Sequence, residues 1–450
     1  LYPHRLRSIV LDSAYPVRAP DAWFPTDWGT AWNSIDRSCW RSPVCNALGG
    51  SASARVKQLV TALRSKPISG TAPDAYGLMH SVTLDAPGLM RIIDNAGSGG
   101  SIYRELDAAT RAWQSGDSLP LLRLSAEQDT ATQDDPEDFS WGLYQAVICS
   151  DYPLLYDLKA SRSTRDSQYA TALANARTSR PTLFAPFTLN EALDSQMYIT
   201  PLDSCLPWPA PPSNQVPGKP LPAAAVFPPV PTLVLSGDLD GVTSPQDAAQ
   251  VVAQFPDAVH VILPNLTHVV ADQDEIDCAS SLVRRFITNL APGDTSCVSK
   301  VRAIRTVPAF ARGYVQLAPL ISNAGDVTTT DDRRLAAAGL EAVGDALARY
   351  WPSLDNIGAG LRGGQYKYAD TATGLAFTLT GYKFTDDIAV SGSISWNFDT
   401  SVISGKVDLR RAGVLVGTLN LRWVDSTANA TATVTGSIRG HTLNARRVAP

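Results

Sequence analysis

His268, one of only five histidines in 450 residues, stands one helix-and-strand crossover beyond an acidic turn. An imidazole held by a carboxylate can take a proton from a hydroxyl and later deliver it to a leaving group. Two aspartates, Asp238 and Asp240, compete for the acid's place in the turn GDLDGVTSP. The residues in between set the geometry. Thr232 to Leu235 is a short apolar, β-branched run suited to a buried parallel strand. Ser244-Pro245 offers a helix N-cap followed by proline at the first helical position. Ala248, Val251, Val252 and Phe255 recur at helical spacing, and Ala258 to Leu263 is apolar again. A right-handed crossover sets the two strands parallel and adjacent, so acid and imidazole emerge past neighbouring strand ends. Ligands of open α/β sheets bind at that edge. A lone histidine after a strand is ordinarily a hydrogen-bonded structural residue; the carboxylate 28 residues earlier favours chemistry instead.

The same stretch resembles the C-terminal part of an α/β-hydrolase of the tripeptidyl aminopeptidase and proline iminopeptidase type. The resemblance rests on GDLDGVTSP, on His268, and on the helix CASSLVRRFITNLAPGDTSC bracketed by Cys278 and Cys297. It extends to the opening YPHRLRSIVLDSAYP and to AVICSDYP around Cys149, covering Leu1 to Arg305 with only patches in the middle. It implies that Asp240 is the acid and His268 the base of a Ser-His-Asp triad, leaving Asp238 to brace the turn. The family usually has glycine where this chain has Thr267. It further implies a helical cap over the active-site mouth, which sets access. An exopeptidase must also hold the substrate's free amine, and a cap carboxylate would do so by a charge-assisted hydrogen bond. Asp151, in CSDYP, is the expected amine-binding residue; Glu137 and Asp138 sit in an acidic run that reads more simply as a solvated loop. The implied activity is that of a secreted aminopeptidase acting on a peptide or a small ester or amide through an acyl-enzyme, with no cofactor and no metal. The competing expectation is a non-enzymatic binding or cell-surface module.

A serine hydrolase of this fold carries its nucleophile in a G-x-S-x-G elbow between strand and helix. No such motif occurs in the sequence. The nearest imitation, Gly97-Ser98-Gly99-Gly100-Ser101, follows a helical pattern and is expected to be a flexible loop. The expectation is therefore that the nucleophile lies upstream of residue 1 and that this chain alone is inactive.

A formal net charge of −5 argues against a nucleic-acid footprint, and no apolar run is long enough to span a membrane. The six cysteines show neither CxxC nor Cys/His zinc spacing, so disulfides in an extracytoplasmic setting are expected. The favoured pairing is sequential: Cys39 with Cys45, Cys149 with Cys205, Cys278 with Cys297. Oligomeric state is not legible.

The expected fold is α/β: a partial α/β-hydrolase core with a large helical cap, followed by a small antiparallel all-β domain. Residues 1–16 hold the first core strand and 17–228 a mainly helical cap, with helices at Ser53–Ser65, Ala86–Asn95, Ile102–Ser115, Trp141–Cys149 and Arg165–Ser179. The cap returns through an extended stretch with ten prolines in twenty-five residues, 207–231. Residues 229–298 complete the core, 299–357 form a helical connector, and 358–450 a sandwich or barrel with regularly spaced turns. Trp396 and Trp423 in that domain read as core, with glycan contact the less favoured use.

Overall fold

The computed structural model describes residues 5–18, 20–130, 137, 139–196, 203–221, 224–353 and 355–450. The chain forms two compact units: 1–34, 86–100 and 133–301 make one, and 35–85, 101–132 and 302–450 the other.

In the first unit a parallel sheet runs Ile9–Asp12, Thr232–Gly237, Ala258–Leu263, with the middle strand wholly buried. One face packs Leu233, Leu235, Val261 and Leu263 against Leu282 and Phe286 of the helix Cys278–Asn289. The other sets Val234 against Ala248 and Val251 of Pro245–Val252, the helix capped by Ser244 as its sequence signalled. Burial on both faces explains why the middle strand, TLVLSG, is apolar without alternation. The helices Ala86–Ala96, Trp141–Asp151, Arg162–Ser179 and Leu189–Asp194 lie within this unit. Cys278–Cys297 and Cys149–Cys205 are disulfides here, and Cys39–Cys45 is one in the second unit.

The second unit centres on a nine-stranded antiparallel sheet. From one edge its order is Ile321–Ser322, His441–Val448, Thr431–Ile438, Val414–Val424, Val402–Arg411, Ile388–Asn397, Gly374–Tyr382, Gln365–Thr371 and Ile357–Ala359. This is one broad sheet, where the turn spacing had suggested a sandwich or barrel. The difference lies in what covers its apolar face. The nineteen-residue helix Thr330–Ala348 lies against it, with Gly339 above Leu409 and Leu419. The span 299–357, expected to be a connector, thus supplies the core partner of the sheet. Trp396 and Trp423 are buried in that core.

Residues 17–228 do not form one body. Residues 35–85 and 101–132 belong to the second unit, where a buried ionic network ties the segment 101–132 to the helix Thr330–Ala348. Arg123 donates to both carboxylate oxygens of Asp345, at 2.9 and 2.8 Å, and to Glu105 at 3.3 Å. Arg349 donates to Glu127 and Glu105, and the Tyr382 hydroxyl to Asp345 at 2.7 Å. Burial is the largest single influence on the Asp345 carboxyl and raises it, but the charges of Arg123 and Arg349 and the hydrogen bonds from Arg123 and Tyr382 together outweigh it and bring the group down to about 2. The helices Ser101–Gln114 and Leu119–Thr130 are thereby tied to Thr330–Ala348. The hairpin Ile68–Pro73/Met79–Leu84, absent from the expected cap, also lies here; its Ser, Thr, Gly and Pro content conceals a strand signal.

Candidate functional site

The strands Thr232–Gly237 and Ala258–Leu263 deliver their following turns side by side. Asp238 N–H bonds the Leu263 carbonyl at 3.0 Å, and Leu239 N–H bonds that of Leu266 at 3.0 Å. Such close approach requires Gly237: a Cβ there would lie 2.2 Å from the Leu266 carbonyl oxygen and 2.5 Å from that of Thr267. Asp238 accepts from the Asn265 N–H at 2.7 Å and braces the turn.

Asp240 and His268 meet at the end of this zipper. His268 Nδ1 lies 3.2 Å from Asp240 Oδ2; the acid is fully buried and the imidazole side chain 30 % exposed. The carboxylate is fixed by its own turn. Its Oδ1 accepts from the N–H groups of Val242 at 2.9 Å and Thr243 at 2.8 Å. Its Oδ2 accepts from the Thr243 hydroxyl at 2.9 Å. That hydroxyl also stands 3.1 Å from His268 Nδ1, so acid, hydroxyl and imidazole form a tight triangle. A carboxylate with every lone pair engaged cannot swing away, and the imidazole Nδ1 is held toward it. Orientation of this kind leaves Nε2 available for proton transfer.

The backbone around His268 is held from two directions. His268 N–H bonds the Gly97 carbonyl at 3.1 Å, and the Thr267 hydroxyl donates to the Ser98 backbone carbonyl at 3.1 Å. Gln273 accepts from the Thr267 N–H at 3.0 Å, lies 2.6 Å from its hydroxyl, and donates to the His268 carbonyl. The loop expected to be flexible is therefore packed: a Cβ on Gly97 would sit 2.6 Å from the Gly241 Cα. On the other side, Ser13 Oγ accepts from the Val269 N–H at 2.8 Å. Asp12 accepts from Val270 at 3.0 Å and Ala271 at 2.9 Å. Burial raises the Asp12 carboxyl, against the pull of these two amides and of His268. The first strand thus ends in two side chains that clamp the chain just past the imidazole.

A second carboxylate pair lies behind the acid's turn. Asp27, fully buried, accepts from the Ser244 N–H at 2.8 Å through Oδ1, while its Oδ2 has no donor to accept from. Burial first, and the adjacent Asp247 second, push the Asp27 carboxyl well above its ordinary range. A proton on Oδ2 directed at Asp247 satisfies both groups.

The Asp151 side chain is exposed at the end of its helix, and none of the bonds around the Asp240–His268 pair reaches it. Its neighbour Tyr152 stacks on Tyr15, with ring centroids 5.1 Å apart. Glu137 is also exposed, and Asp138 lies outside the described residues. Among the described residues no group of three or more His, Cys, Asp or Glu is placed to hold a metal, and no helix is long and apolar enough to cross a membrane.

The sequence alone did not single out Thr243, Asp12, Ser13 or Gln273. The one available signal was position: Asp12 closes the strand IVLD at the edge where ligands of such sheets bind.

Residues 190–297 match a family model described as TAP-like protein, one of the α/β-hydrolase models. A search among curated proteins returned no match.

Proposed function

We propose, from the match of residues 190–297 to the TAP-like α/β-hydrolase model, that Asp240 and His268 are the acid and base of a serine hydrolase acting on peptide substrates. The observation that carries this reading is the 3.2 Å contact between a fully buried acid and a partly open imidazole at the strand ends. His268 would take the proton from a serine hydroxyl as it attacks the scissile carbonyl. The resulting imidazolium is stabilised by Asp240, and its proton then passes to the departing amine. Water deacylates the enzyme by the same route in reverse.

The reading requires a nucleophilic hydroxyl from a segment outside these 450 residues, because no G-x-S-x-G elbow occurs among them. An aminopeptidase, secreted as the three disulfides favour, is the finer form of the proposal, with Asp151 as the group that meets the substrate's free amine. The sheet's outer strands, Ile9–Asp12 and Ala258–Leu263, each have one edge without a strand partner among the described residues, as a core continued by further strands would leave them.

The test is to express the whole reading frame, expose it to a fluorophosphonate probe, and assay tripeptide anilides with free and blocked amines. The proposal expects labelling of a serine that His268→Ala abolishes, and a preference for the free amine that Asp151→Asn erodes. Labelling unchanged by His268→Ala would refute the base assignment.

A further inference from the structure

The structure assigns a binding role to the outer face of the nine-stranded sheet: we propose that it docks an extended anionic polysaccharide. The strand register places Lys367, Thr378, Ser393 and Lys406 in one row across the strands. Ser404, Arg422, Thr433 and Arg446 form the adjacent row. Side chains alternate faces along each strand, so these rows share the face opposite the helix Thr330–Ala348. Lys367, Lys406, Arg422 and Arg446 are all exposed.

The charge on this face is selective. Several cations elsewhere in the same unit are matched to acids: Arg362 with Asp117, Arg439 with Asp331, Arg447 with Glu341, and Arg302 and Arg305 with Asp425. Lys367, Lys406, Arg422 and Arg446 have no carboxylate within ion-pair distance among the described residues. In a chain of net charge −5, four exposed cations without an acid partner thus share one surface. The nearest acid on that face, Asp408, accepts from the Thr418 hydroxyl at 2.6 Å. From the strand Gln365–Thr371 to His441–Val448 there are six strand spacings, or about 29 Å, enough for an extended polymer to meet several cations at once.

The partner's chemistry follows from what the face offers and what it lacks. Ser, Thr and Asn side chains lie between the cations and can hydrogen-bond sugar hydroxyls and acidic groups. Tyr366, Phe377, Tyr382, Trp396 and Trp423 all point to the buried side, leaving no stacking platform for nucleobases. The two rows also carry no large apolar anchor of the kind protein partners and membranes use.

The experiment is retention of the full chain on immobilised polygalacturonate at low salt. Neutral dextran, single-stranded DNA and anionic phospholipid vesicles are run in parallel. The expected result is salt-reversible retention on polygalacturonate alone. Lys406→Glu/Arg422→Glu should weaken it at least about tenfold while leaving the thermal melt in place. Failure to bind polygalacturonate at low salt, retention indifferent to the double substitution, or equal binding to DNA or vesicles would each overturn the assignment.

Discussion

Asp240 and His268 in one unit, and Arg123, Arg349, Glu105, Glu127 and Asp345 in the other, are both clusters of opposite charge, built to opposite ends. The second is sealed, with every one of its five side chains at most 4 % exposed. Its charges face one another across three helices and have nowhere else to go. The first buries only its acid: Asp240 is locked by its own turn, whereas His268 keeps one side open. Burial of both partners marks a joint, and burial of one partner alone marks a place where the other can act. The comparison predicts that substitutions in the open pair cost chemistry and those in the sealed network cost stability.

The largest separation should come from Asp240→Asn in the full reading frame. Its turnover of a tripeptide anilide should fall on the order of 10⁴-fold with the melting temperature nearly unchanged, since an orienting acid acts on the transition state. A comparable loss of stability would blur the distinction. Asp345→Ala is the converse. It strips the buried Arg123 of the carboxylate that takes two of its hydrogen bonds, and should lower the unfolding free energy of its unit by about 3–5 kcal/mol in urea titrations. Thr243→Val sharpens the picture of the open pair. Removing one hydroxyl from the triangle should cost about tenfold in kcat with KM retained, the worth of one hydrogen bond to a charged group.

The smallest effect concerns Asp27, a sealed acid beside the open pair. Burial and Asp247 raise its carboxyl, so the folded chain holds that proton more tightly than the unfolded one. Its stabilisation is therefore complete below the ordinary carboxylate range and is lost as pH rises toward Asp27's own raised value. Asp27→Asn can accept from Ser244 and donate to Asp247 as the protonated acid does, and should flatten the pH dependence of chemical denaturation across that rise.

Much of the open pair was legible because local signals agreed there. A β-branched run, an N-cap followed by proline, and a second apolar run fixed two strands and one crossover, and with them the positions of Asp240 and His268. The sequential cysteine pairs were likewise readable from their spacing, and the three disulfides join them in that order. What escaped were side chains whose partners are distant in sequence. Asp12 and Ser13 meet residues 269–271, and Glu105 and Glu127 meet Arg349; periodicity carries no trace of such contacts. The same blindness let residues 35–85 and 101–132 read as part of one cap, because helical patterns reveal an apolar stripe without revealing what covers it.

The most direct test of the central claim is the low-field proton NMR signal of the His268 Nδ1–H. If Asp240 holds that proton, a resonance should appear in the wild type, persist in Thr243→Val, and vanish in Asp240→Asn. A His268 signal that survives Asp240→Asn unaltered would mean that the imidazole is oriented by something else, and the acid–base assignment would fall.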